Sequence, residues 1–153
     1  MQPRIRMGLF IGVVGLVLNI CVSGFIGLCG PVVSLLAGGI AGFLAAQQER
    51  LPTKSEGAKA GAIAGLIAGG LVIVGQIIGG IGALAFMQLS GTPSIFGEIP
   101  NLEADPSGSI IYYASGIGTG LCFGIVGTIL AALTGAGVGY MTTTEDPTAP
   151  IVQ

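Results

Sequence analysis

Four long stretches of this chain carry almost no charge, and short polar segments separate them. The first apolar run goes from Met7 to about Leu28, enough at about 1.5 Å per residue to cross a hydrocarbon core about 30 Å thick. A break follows at Cys29-Gly30-Pro31, because glycine suits the end of one helix and proline the first turn of the next. The second predicted helix runs from Pro31 to about Gln47; it is short and rich in Ala and Gly, so its hydropathy signal is the weakest. Gln48 to Lys59 reads as a polar loop with a proline. The third helix is predicted from Ala60 to Leu89, about 45 Å if straight, which calls for tilt, a kink at Gly79-Gly80-Ile81-Gly82 or a protruding stretch. Ser90 to Ser109 is rich in Pro, Gly and Ser and reads as an aqueous loop. The fourth helix is predicted from Ile110 to about Met141, with Gly116-Ile117-Gly118-Thr119-Gly120 as its weak point, and a polar, flexible tail covers 142–153. The pattern predicts an all-α fold: a single membrane domain over 1–153, built as a bundle of four transmembrane helices.

Small residues recur at every fourth position, which puts them on one narrow face of a helix. The third predicted helix carries Gly57, Gly61, Gly65 and Gly69, and the second carries Ser34, Gly38, Gly42 and Ala46. The fourth carries Gly116, Gly120 and Gly124, then Gly127, Ala131, Gly135 and Gly139. The first has Gly8 and Gly12, then Gly15, Asn19, Ser23 and Gly27. In lipid there is little hydrophobic drive between helices, so small-xxx-small faces that let backbones approach are a main route to tight packing. These glycine zippers pack helices within one chain, with copies of the chain or another membrane protein as further partners for the 29 glycines. Gly38-x-x-x-Gly42-Phe43 and Gly135-x-x-x-Gly139-Tyr140 match in spacing and direction, the pattern of two related hairpins in parallel arrangement.

Charge sets the orientation. All five basic residues (Arg4, Arg6, Arg50, Lys54, Lys59) precede the first helix or lie between the second and third. Cytoplasmic segments retain Lys and Arg, so both termini and the central loop are expected in the cytoplasm. Tyr112 and Tyr113 then fall at the outer end of the fourth helix and Tyr140 at its inner end, as interfacial aromatics do. Arg4 and Arg6 before an apolar run, with Val22-Ser23-Gly24 behind it, imitate a signal peptide. The apolar run continues past that site, which favours an uncleaved anchor.

Composition narrows the chemistry. Only 8% of the residues are charged, against about 25% in soluble domains. Net charge is −2 and the basic residues form no stripe, which excludes nucleic acid as a partner. There is no His for metal ligation or proton transfer near neutral pH, and Cys21, Cys29 and Cys122 form no C-x-x-C pair. Cys21 and Cys122 read as small packing residues, and Cys29 as the one cysteine at an exposed turn. No Asp, Glu, Lys or Arg lies within the four predicted spans, which argues against a pump, an ion-coupled carrier or an intramembrane hydrolase. No residue is a candidate for catalysis, for a cofactor or for a metal. Glu98, Glu103 and Asp105 read as a solvated loop surface. Asn19, Gln76 and Thr128 fall near the middle of their runs, where they either glue helices through hydrogen bonds or line a small path.

The segment Ala37 to Gly70, with Ala41-Gly42-Phe43-Leu44-Ala45 before the loop and Gly61-Ala62-Ile63-Ala64-Gly65 after it, resembles the uncharacterised glycine-rich four-helix membrane proteins of prokaryotes. That resemblance covers about a quarter of the chain. It implies a small protein of the prokaryotic inner membrane and assigns no activity or functional residue. The leading expectation is a non-enzymatic membrane protein acting through helix packing, as a homo-oligomer or an accessory subunit. The rival is a channel or facilitator for a small neutral solute.

Overall fold

The computed structural model describes residues 2–23, 30–49, 51–91 and 106–144, which form four α-helices. They are α1 (Pro3–Ser23), α2 (Gly30–Glu49), α3 (Lys54–Ser90) and α4 (Pro106–Thr142), and each is long and apolar enough to cross a membrane. Proline opens α4, where its missing N–H costs nothing, and lies in the first turns of α1 and α2.

The largest departure from the sequence reading is the start of α3. Lys54 to Lys59, expected as loop, are helical, because Thr53-Lys54-Ser55-Glu56 has the spacing of a capping box. Thr53 is extended (φ −131°, ψ 147°) and its Oγ1 accepts a hydrogen bond from Glu56 N at 3.3 Å. At the other end Gly91 takes the left-handed conformation (φ 67°) that stops the helix. The helices run uninterrupted through Gly79–Gly82, where a kink is one alternative to tilt or a protruding stretch, and through the weak point at Gly116–Gly120. Each of α3 and α4 is one continuous helix of 37 residues, about 55 Å long. Of the expected outer loop only the ends are described; Glu98, Glu103, Asp105, Cys29, Gly27, Arg50 and the tail from 145 lie outside the described residues.

Neighbouring contacts give the directions. Gly8 meets Ala64, Gly12 meets Ala68 and Gly75 meets Leu16, so α1 and α3 run the same way. Ser34 meets Gly127, Gly38 meets Ala131 and Gly42 meets Gly135, so α2 and α4 also run together. Gly57 against Gly139 and Gly69 against Thr128 make α3 and α4 antiparallel. The helices α2 and α3 touch each other and both outer helices, while α1 and α4 do not meet among the described residues. The start of α1, the α2–α3 connection and the end of α4 therefore share one end of the bundle.

The two hairpins differ in reach. With 21 and 20 residues, α1 and α2 are each about 30 Å long. Beyond their level α3 and α4 continue as a two-helix hairpin, in which a Cβ on Gly116 would lie 3.3 Å from Leu84 Cδ1 and Tyr113 donates its hydroxyl to Gln88 Oε1 at 2.5 Å.

Size sorts the residues between inside and outside. The core consists of Ala37, Ala41, Ala45, Ala64, Ala68 and Val72, with Ile11 and Val33 packed against it. Large apolar side chains point away from it: Phe10 is 64% exposed, Leu133 63% and Leu36 62%.

Candidate functional site

Three groups of residues bring together the chemistry this chain possesses. The first is the face of α4 shared by α2 and α3. A Cβ on Gly38 would lie 2.5 Å from Ala131 Cα, one on Gly42 2.7 Å from Gly135 Cα, and one on Gly61 2.8 Å from Gly135 C. On the same seam a Cβ on Gly57 would lie 2.6 Å from Gly139 O, one on Gly65 3.0 Å from Ala131 C, and one on Gly69 2.9 Å from Thr128 Cα. No side chain fits at these places without moving a backbone, so each glycine holds two helices at close approach. Gly124 meets Ile73, and Gly135 and Gly139 face the Gly61 and Gly57 backbones in return.

Not every glycine of the periodic pattern meets a neighbour. Among the described residues a Cβ at Gly120 would meet nothing, nor would one at Gly118, Gly80 or Gly82, and Gly116 meets the end of Leu84. Gly116, Gly118 and Gly120 lie on α4 beyond the start of α2, whereas Gly80 and Gly82 lie level with the last turn of α1, and Gly70 and Gly137 inside the bundle also face no neighbour among the described residues. Spacing gives a face of a helix and does not say where along it a neighbour ends.

The second group is polar and lies deep in the bundle. Asn19 is buried on α1 and its Nδ2 donates to Val72 O on α3 at 3.1 Å. One turn further along α3, Gln76 is 8% exposed, and its Oε1 is buried without a hydrogen-bond partner among the described residues. Such an orphaned carbonyl costs about 1–3 kcal/mol in desolvation. Thr128 does not join them; its hydroxyl bonds back to Gly124 O within α4 at 3.0 Å, and its methyl packs under Gly69. Two threonines outside the expected set are better placed between helices. Thr134 donates to Leu130 O at 2.9 Å and lies 3.3 Å from Leu35 O of α2, while buried Thr143 bonds Gly139 O at 2.8 Å and fills the space beside Gly57. The signal for Thr134 is its place beside Gly135 on the small-residue face.

The third group sits at the end where α1 begins, α2 ends and α3 begins. Arg4, Glu49, Leu51, Glu56 and Lys59 line a cavity of about 310 Å³ there. Glu49 Oε1 accepts from the backbone N–H of Arg4 at 3.0 Å and lies 3.8 Å from its Nε, so one carboxylate caps the start of α1 and pairs with its first cation. Arg4 Nε also donates to Gln2 Oε1 at 2.9 Å. Nearby, Lys54 Nζ stands 5.6 Å from the centre of the Tyr140 ring, within the range of a cation–π contact. The pairing of Arg4 with Glu49 was not legible in the sequence, since the two are 45 positions apart.

No protein-family model, curated protein or solved structure matches this chain. The functional reading therefore rests on residues and their arrangement.

Proposed function

We propose that this is a multi-pass integral membrane protein, non-enzymatic, whose role is carried by glycine-zipper helix packing, either as a homo-oligomer or as an accessory subunit of a membrane assembly. One observation carries the reading: small residues fill the inside and large apolar side chains cover the outside along all four helices. In water such a surface would aggregate; in lipid it is the solvated state. The distance along α4 from Tyr112 to Tyr140 is about 42 Å, which matches a bilayer of about 40–45 Å with its interfacial layers. The resemblance to glycine-rich prokaryotic membrane proteins points to a prokaryotic cell membrane. The shared end of Arg4, Arg6, Lys54 and Lys59 supports a cytoplasmic position for both termini.

Oligomerisation or docking has surface available on the α4 extension, where Gly118 and Gly120 meet no neighbour among the described residues. The mass of the protein extracted in nanodiscs from its own membrane, with its co-purifying chains, tests this. A mass of several chains, or a stable foreign partner, is the expected result; a lone monomer at every concentration contradicts it.

A second reading, a facilitator for a small neutral solute, is favoured by Gln76, whose unpartnered oxygen would accept a hydrogen bond from a solute or water. On that reading proteoliposomes show solute flux and Gln76→Leu reduces it. Flux unchanged by the substitution removes Gln76 from the path.

A further inference from the structure

The cavity at the basic end of the bundle has a division of charge that the packing reading does not use. Glu49 is committed to the backbone and Nε of Arg4, and its side chain is only 11% exposed. The Nη groups of Arg4, the ammonium of Lys59 and the carboxylate of Glu56 have no hydrogen-bond or ion-pair partner among the described residues. The cavity therefore offers the Nη donors of Arg4, whose charge is already paired with Glu49, together with one free ammonium, one free carboxylate and the apolar wall of Leu51. Its depth is fixed by the sequence numbers around it. Gly57 of α3 meets Gly139 of α4, so Glu56 and Lys59 lie level with Tyr140, the aromatic residue at that end. If Tyr140 marks the headgroup layer, the cavity opens within it.

From this geometry we infer that the cavity binds a phosphodiester carrying a primary amine, the chemistry of an ethanolamine phospholipid headgroup. The phosphate takes charge-assisted hydrogen bonds from Arg4 and Lys59. The ammonium donates to Glu56, and the glycerol end lies along Leu51. A headgroup without an amine leaves Glu56 unmatched beside the phosphate. A quaternary choline satisfies its charge but has no N–H to donate. The inference rests on the membrane reading above, because that reading places the cavity at headgroup depth.

Native mass spectrometry of the full chain in detergent, titrated with phosphatidylethanolamine, phosphatidylcholine and phosphatidylglycerol of identical acyl chains, tests it. Ethanolamine lipid is expected to be retained about threefold to tenfold more than the other two, at one molecule per chain. Glu56→Gln abolishes the preference over phosphatidylglycerol without lowering phosphatidylglycerol retention, and Lys59→Gln lowers retention of all three; both variants keep wild-type helicity by circular dichroism. Displacement of the lipid by soluble phosphoethanolamine supports a site that also serves the free headgroup, and lack of displacement supports a site restricted to the lipid. Equal retention of the three lipids, or a preference that Glu56→Gln leaves intact, overturns the inference while leaving the membrane reading standing. A chain that stays monodisperse without detergent and retains no lipid overturns both.

Discussion

At the residue scale the decisive variable is the volume of one methyl group. Gly42 and Gly61 each press on the Gly135 backbone, so Gly42→Ala or Gly61→Ala inserts a Cβ with no space, at a cost of about 1–3 kcal/mol. Gly118→Ala inserts the same atom into open space and relieves glycine's entropic penalty, a gain of about 0.5–1 kcal/mol. Unfolding in mixed micelles by a graded denaturing detergent should therefore rank Gly118→Ala above wild type and wild type above Gly61→Ala. Equal shifts for both would show that the seam does not hold the bundle. Gln76→Met keeps the volume and removes the orphaned carbonyl, so stability should hold or rise in the same assay; a loss would mean that Gln76 Oε1 has a partner in the folded protein. The period-four glycines were legible because one atom decides whether helices can approach. The orphan at Gln76 was not, since its polarity is visible in the sequence and its lack of a partner is a property of the packed neighbours.

At the element scale, hydropathy identified the four helices because each is apolar over a span's length, but it misplaced the start of α3. Hydropathy treats Lys54, Glu56 and Lys59 as loop residues; hydrogen bonding at Thr53 makes them the first turns of a helix. Thr53→Ala should cost about 1 kcal/mol and raise amide hydrogen exchange at Glu56 and Gly57 first. Unchanged exchange there would mean that packing alone holds that turn. The continuity of α3 and α4 through Gly79–Gly82 and Gly116–Gly120 has a related reason. A glycine weakens a helix by about 1 kcal/mol, and in α3 and α4 the backbone hydrogen bonds continue through these positions without interruption. In the proposed membrane placement an unpaired backbone group costs several kcal/mol, so continuity outweighs propensity.

At the scale of the whole molecule, the chain is a short hairpin packed against a long one. Sequence length along each run announced the difference, since the third and fourth runs exceed the first two. It could not announce that α2 and α3 take the central positions and that α1 and α4 stay apart, because all four helices carry small-residue faces of similar spacing. The same arrangement leaves most large apolar side chains on the outside, which a globular chain in water cannot sustain. The absence of tryptophan makes that claim measurable without background. Single Phe10→Trp, Phe43→Trp and Phe123→Trp variants, at exposed positions, can be reconstituted in bilayers and quenched in turn by brominated acyl chains and by aqueous iodide. The account predicts strong quenching by the brominated lipid at all three positions and little by iodide; iodide quenching with no effect of bromine would contradict a lipid-facing surface and with it the proposed membrane bundle.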